Sequence, residues 1–166
     1  MANRYRPALE ELTMTAEDKL KELGLTWPSL PTPGGNYVLF RRVGDLLYIA
    51  GNTGRIDGKL KHVGRLGAEV TLEQGYEMAR LCALNHLRVI KEAVGDLERV
   101  VQCIRLTGWV NSAPNFSEQP KVVNGASDLL IAVMGERGKH VRSAIGISGL
   151  AANAPVETEL LVQVKD

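Results

Sequence analysis

The most constraining feature of this sequence is a long amphipathic stretch in its middle, bounded at both ends. Thr71-Leu72-Glu73-Gln74 sets a hydroxyl at a helix N-cap and an amide three residues on, the capping-box pattern. Apolar residues follow at Leu72, Tyr76, Ala79, Ala83, Leu87, Ile90 and Val94, and Gly95 closes the run. The spacing predicts one helix with a single apolar stripe. Glu73, Glu77, Arg80, Arg88 and Lys91 form its wet side. A helix of this length must lay its stripe on something, and strands flank it.

Tyr37–Arg42 and Leu46–Ala50 are apolar runs around Gly44-Asp45 and predict a β-hairpin. Residues 55–66 carry Asp57-Gly58 and Gly64, signals for turns and a short edge strand. Arg99–Val110 predicts the next strand. A second helix is expected over Gln119–Met134, with the stripe Val122, Ala126, Leu129, Leu130, Val133 and with Ser117 near its cap. Two strands close the chain, 141–148 and 156–164, and their order suggests an antiparallel pair. The sum is an α+β fold, a mixed sheet of four to six strands with two long helices packed on one face. The other face then needs cover, which predicts an oligomer.

The 166 residues fit a single domain at residues 31–166. Residues 1–30 read as an N-terminal extension: a charged, loose start over 1–12, then a short helix from Thr15 to Leu23 stopped by Gly24. Pro28–Gly35 holds three prolines and two glycines and is a connector. Lys plus Arg number 20 and Asp plus Glu 19, a net charge of +1 that gives no basic excess for nucleic acid or a membrane surface. No apolar run is long enough to span a membrane and no signal peptide is seen, so a cytoplasmic location is expected. Cys82 and Cys103 sit in apolar segments and read as buried free thiols. His62, His86 and His140 show no metal-ligand spacing, and His86 reads as a packing or surface residue.

The chemistry concentrates in the last two strands. Period-two alternation puts Arg142, Ala144 and Gly146 on one side of the first, and Glu157 and Glu159 on one side of the second. In an antiparallel hairpin these would share a face, a guanidinium and carboxylates across a floor of small residues. Arginine offers a planar fork for a substrate carboxylate, and a glutamate can deprotonate water. An arginine and glutamates on adjacent strands form a plain salt bridge as readily. On pattern alone the salt bridge is the favoured reading.

Several short motifs occur in a specific order: Gly35-Asn36-Tyr37, Ala50-Gly51-Asn52, Trp109-Val110-Asn111 with Asn115-Phe116, Val123-Asn124, Arg142-Ser143 and Pro155-Val156-Glu157-Thr158-Glu159. Across residues 34–164 this series resembles the Rid family (reactive intermediate deaminases, YjgF-like, also labelled endoribonuclease L-PSP). The resemblance implies a chorismate-mutase-like fold and a homotrimer with clefts between subunits. It implies hydrolysis of enamines and imines such as 2-aminoacrylate to 2-keto acids and ammonia, with no metal or organic cofactor. Arg142 would hold the substrate carboxylate and Glu157 would position the attacking water. Tyr37 and Asn124 would line the cleft from the neighbouring subunit, with backbone at Gly51 and Ala144 completing it. Active members usually carry serine, glutamine and cysteine where this chain has Ala50, Asn52 and Ala144, which leaves room for a larger ligand. A non-catalytic trimeric carboxylate-binding protein is the alternative. An endoribonuclease or translation inhibitor ranks last, and nucleic acid is not an expected partner.

Overall fold

The computed structural model describes residues 14–166. The expectation for residues 1–12 lies outside these. The predicted capping box at Thr71 forms, and a second one forms at Thr15. Thr15 opens α1, Ala16–Glu22, and Thr71 opens α2, Leu72–Val94, which ends on Gly95 at φ 83°. The third helix, α3, spans Gln119–Met134. Its N-cap is Glu118, next to Ser117, with no side-chain cap bond, and Pro120 stands in the first turn where a missing N–H costs nothing.

The strands are β1, Phe40–Val43; β2, Leu46–Asn52; β3, Val100–Asn111; β4, Val141–Ile147; and β5, Val156–Val164. They form one mixed sheet in the order β1-β2-β5-β3-β4. All neighbours are antiparallel except β3 and β4, which run parallel with α3 as their crossover. Residues 55–66 contribute only isolated bridges, such as Ile56 with Lys59, so the expected extra edge strand does not form.

The expected antiparallel pairing of the last two strands is also corrected. The chain leaves β4 and returns to insert β5 between β2 and β3. Burial explains the choice. Val156, Thr158, Leu160 and Val162 of β5 are at most 2% exposed, and a strand that buries so much belongs in the centre. β4 carries Arg142, Ser143 and Gly146 and bears the edge more easily, where unpaired backbone meets solvent.

Both long helices lie on one face of the sheet. α2 buries more than its predicted stripe: Met78, Cys82, Asn85, His86 and Val89 are buried as well, because sheet and α3 both pack on it. Cys82 and Cys103 are buried free thiols, and burial pushes Cys103 up to about 12. Two glycines set how closely the layers approach. A Cβ at Gly125 of α3 would stand 1.9 Å from the Tyr76 carbonyl of α2, and one at Gly108 of β3 would stand 2.6 Å from Val123 of α3. Among the described residues no helix is long and apolar enough to cross a membrane.

Gly125→Ala meets backbone that cannot yield. It should lower stability by about 2–4 kcal/mol, in the range of core overpacking and strain. Urea unfolding checks this, and a loss under about 0.5 kcal/mol would mean that the helices are free to separate.

Candidate functional site

Paired residues in adjacent strands point to the same side, so the register assigns every side chain to a face. Phe40, Ile49, Leu160, Leu106 and Arg142 form one row, and Ile49, Leu160 and Leu106 are buried beneath the helices. Arg142 therefore faces the helix side. Glu157 pairs with Trp109, which pairs with Ile145, and Glu159 aligns with Thr107 and Ser143. These side chains occupy the opposite, open face. The expected sharing of one face by Arg142 and the glutamates is overturned. Inserting β5 in the centre brings Arg142 level with Leu160, one residue out of phase with either glutamate.

Arg142 and its surroundings form a first cluster, at the sheet edge. Its Nη1 donates to Asn124 Oδ1 at 2.8 Å and to Ser127 Oγ at 3.0 Å, and its Nη2 donates to the Pro120 carbonyl at 3.2 Å. All three acceptors are on α3 and all are neutral. The salt-bridge reading of Arg142 has no support among the described residues. The guanidinium keeps its full charge, and two donors, Nε–H and one proton of Nη2, have no protein acceptor in the cluster. Ala144 lies on the same face of β4, in register with Gly108 and Thr158. Asn124 is bonded to Arg142 of its own chain.

Glu157 anchors a second cluster on the open face. Between Ile49 and Asn52 the β2–β5 register slips, so Ala50 and Gly51 together oppose Glu159. The Glu157 side chain folds over Gly51: a Cβ there would stand 2.1 Å from Glu157 Oε1. Glu157 is half-buried. Burial, then the neighbouring charge of Glu159, raises its carboxyl above the ordinary glutamate range. Tyr37 precedes β1, where the Ala50 amide donates to the Leu39 carbonyl at 2.9 Å. Tyr37 is half-exposed, and its hydroxyl accepts from the Gly34 amide at 3.1 Å. An adjoining groove of about 320 Å³ is lined by Val38, Tyr48, Ala50, Thr107, Glu159 and Leu161, among others.

A buried polar chain underlies this second cluster. Asn52 Nδ2 donates to His86 Nδ1 at 3.3 Å, so His86 Nε2 carries the proton and donates to Thr158 Oγ1 at 2.9 Å. Asn52 also donates to the Ala50 carbonyl at 3.2 Å, across the bulge. Thr158 lies between Glu157 and Glu159, so the chain ties both strands of the site from behind. Asn52 is thus a core residue, not a cleft-facing one. Sequence reasoning missed the roles of Asn52, His86 and Thr158, and missed Ser127 and His140 beside Arg142. The signals were present: Ser127 is three residues from Asn124 on α3, and His140 is two residues before Arg142.

The expected residues thus fall into two groups: Arg142, Asn124 and Ala144 at the sheet edge, and Glu157, Gly51 and Tyr37 by the bulge on the open face. Arg142 and Glu157 are separated by two strand spacings across the sheet and three residues along it, about 14 Å in all, and point to opposite sides.

A mixed sheet with two helices on one face and this pair of clusters defines an α+β protein of the chorismate-mutase-like kind. The family described as "YjgF/chorismate_mutase-like, putative endoribonuclease" matches residues 17–160. The chain belongs to this family. Protein TCP17 of Trypanosoma cruzi is 39% identical over 148 residues, covering 89% of this chain and 92% of that protein. The crystal structure of Atu1372 from Agrobacterium tumefaciens is 41% identical with a TM-score of 0.85, covering 90% of this chain and 92% of that one. A structure from Shewanella oneidensis under the same endoribonuclease description is 35% identical with a TM-score of 0.88, covering 91% of this chain and all of that one.

His86 yields a pH prediction. Burial lowers it to about 4, against 6.5 when free. Between those values the unfolded chain binds a proton that the folded chain refuses. Its contribution is intact above pH 6.5 and is lost as the pH falls toward 4, a change of about 3 kcal/mol. Denaturation midpoints across that window should fall in the wild type and flatten in His86→Gln. Equal slopes in the two proteins would remove His86 as the cause.

Proposed function

We propose that the protein hydrolyses small 2-imino acids and their enamine tautomers, 2-aminoacrylate-like compounds, to 2-keto acids and ammonia. The observation that carries this reading is the setting of Arg142: among the described residues its guanidinium is tethered by neutral oxygens alone, with two donors left for an anion. A guanidinium fork of this kind suits the two oxygens of a carboxylate. The second requirement is a base for water. Glu157, made more basic by burial and by Glu159, fits it.

One chain presents these groups on opposite faces, so the reading requires a second copy. The Arg142–Asn124–Ala144 edge of one subunit would face the Glu157–Gly51–Tyr37 surface of the next, and in a closed homotrimer each interface would make one cleft. The exposed apolar side chains Tyr48, Val141 and Ile145 on the open face support such cover.

The chemistry then balances simply. The substrate reacts as its iminium form, protonated from solvent. Glu157 takes a proton from water as the oxygen adds to the iminium carbon, giving a neutral carbinolamine. Glu157 then gives that proton to the carbinolamine nitrogen and takes the hydroxyl proton as the carbonyl forms and the C–N bond breaks. Ammonia leaves and takes the proton from Glu157 as ammonium, which restores the carboxylate. The substrate is already reactive, so orientation and charge placement supply most of what is needed. No step calls on a metal or an organic cofactor.

An amino-acid oxidase can generate a panel of 2-imino acids, with semicarbazide trapping what the protein leaves. Wild type should clear the imines faster than solvent does. Arg142→Ala should lose on the order of 100-fold in kcat/KM, the worth of charge-assisted bonds. Wild-type activity in that variant would defeat the assignment. Gly51→Ala displaces only the flexible end of Glu157, so it should abolish turnover with under about 1 kcal/mol lost in stability. No clearance by the wild type, with tight binding of a keto acid, would mean a carboxylate-binding protein instead.

A further inference from the structure

Arg142 is held by α3, and one of its anchors is itself anchored. Ser127 Oγ accepts from Arg142 Nη1 at 3.0 Å and lies 3.0 Å from His140 Nε2. His140 Nδ1 lies 2.7 Å from the Gly138 carbonyl. A ring nitrogen facing a carbonyl must carry the proton, so Nε2 is bare and accepts the Ser127 hydroxyl proton. The hydroxyl then has one orientation, its proton toward His140 and a lone pair toward the guanidinium. Donation runs in one direction, from Arg142 through Ser127 and His140 to the backbone.

The far end of this chain is rigid. Gly138 closes the turn after α3, and a Cβ on it would stand 2.3 Å from the Leu130 carbonyl, so the turn is pressed against the helix. Ser127 is 8% exposed and half-buried His140 loses basicity to burial and to the charge of Arg142. Among the described residues no carboxylate bonds to the cluster. Asp128 turns to the Tyr76 hydroxyl at 2.8 Å, Lys139 pairs with Glu136 at 2.7 Å, and Arg105 lies on the other face of the sheet.

We propose that Ser127 and His140 are positioning residues for Arg142, fixing the rotation of its guanidinium so that the unused Nε–H and Nη2 donors meet a ligand carboxylate as a fork. The proposal rests on the reading of Arg142 as the carboxylate anchor. Neither residue touches the ligand; each acts through the arginine. Without the relay the guanidinium keeps its bonds to Asn124 and to the Pro120 carbonyl but loses one of its three anchors, and a carboxylate must then pay to complete its orientation.

Calorimetric titration of the whole protein with 2-oxobutyrate and with its neutral amide tests this. Ser127→Ala and His140→Phe should each weaken 2-oxobutyrate roughly tenfold, the worth of one hydrogen bond, and leave the amide unchanged. The double variant should be no weaker than either single one, since both cut the same chain. Ser127→Thr, which keeps the hydroxyl, should stay within about threefold of wild type. Equal weakening of acid and amide would reveal a packing effect and overturn the proposal. So would unchanged 2-oxobutyrate affinity in Ser127→Ala and His140→Phe while Arg142→Ala loses binding, a result that leaves the carboxylate anchor standing. An Arg142→Ala variant that binds 2-oxobutyrate as wild type does would bring down the anchor and the relay together.

Discussion

The insertion of β5 between β2 and β3 is the constraint on which the rest of the structure depends. It supplies the most buried strand of the sheet and sets the phase of every row of side chains. With β5 central, Leu160 lies level with Leu106 and Arg142, and Glu157 and Glu159 fall to the other side. The same step leaves β4 at the edge, so the guanidinium stands at a border of the molecule. Had β4 and β5 paired directly, arginine and glutamates could have neutralised one another. As the strands lie, each charge is available to something outside its own chain.

Close packing makes the two clusters firm. Gly125 lets α3 settle against the Tyr76 carbonyl, and Gly108 lets Val123 press on the sheet. That contact holds Asn124, Ser127 and the Pro120 carbonyl at bonding distance from Arg142. On the other side, the Asn52–His86–Thr158 chain fixes the bulge and the strand that carry Gly51 and Glu157. Each cluster is thus supported from the helix layer by neutral hydrogen bonds, which orient without cancelling charge. A protein that handles a small reactive carboxylate by orientation alone would need this division of labour.

Much of the architecture was legible because its signals are local. Thr71 with Gln74, Thr15 with Asp18, and Gly95 state where helices begin and end. Alternation in Val156–Val164 states a strand with one buried face. The ordered motifs around Tyr37, Gly51, Asn124, Arg142 and Glu157 pointed to the family. Legibility failed where the answer depended on partners distant in sequence. The turns at residues 55–66 look strand-like but find no ladder. Nothing local distinguishes a β4–β5 hairpin from a β3–β4 parallel pair. His86, read as packing or surface, proves to be the centre of a buried polar chain, because its partners Asn52 and Thr158, paired across β2 and β5 just beyond the break in register, are distant from it in sequence.

The sequence by itself determined the three helices and five strands, the cap of α2, most of the core-facing stripes and the chemical types at the candidate site. Those depend on periodicity and on short-range bonds, which a few consecutive residues settle. Only the tertiary structure decided the strand order, and with it the separation of Arg142 from Glu157. Which edge a strand pairs with is settled by the total burial of the whole sheet, and a strand's place in that sum is invisible in its own residues. The physical consequence is a candidate site divided between two surfaces, with a charge on each that the described residues leave unanswered.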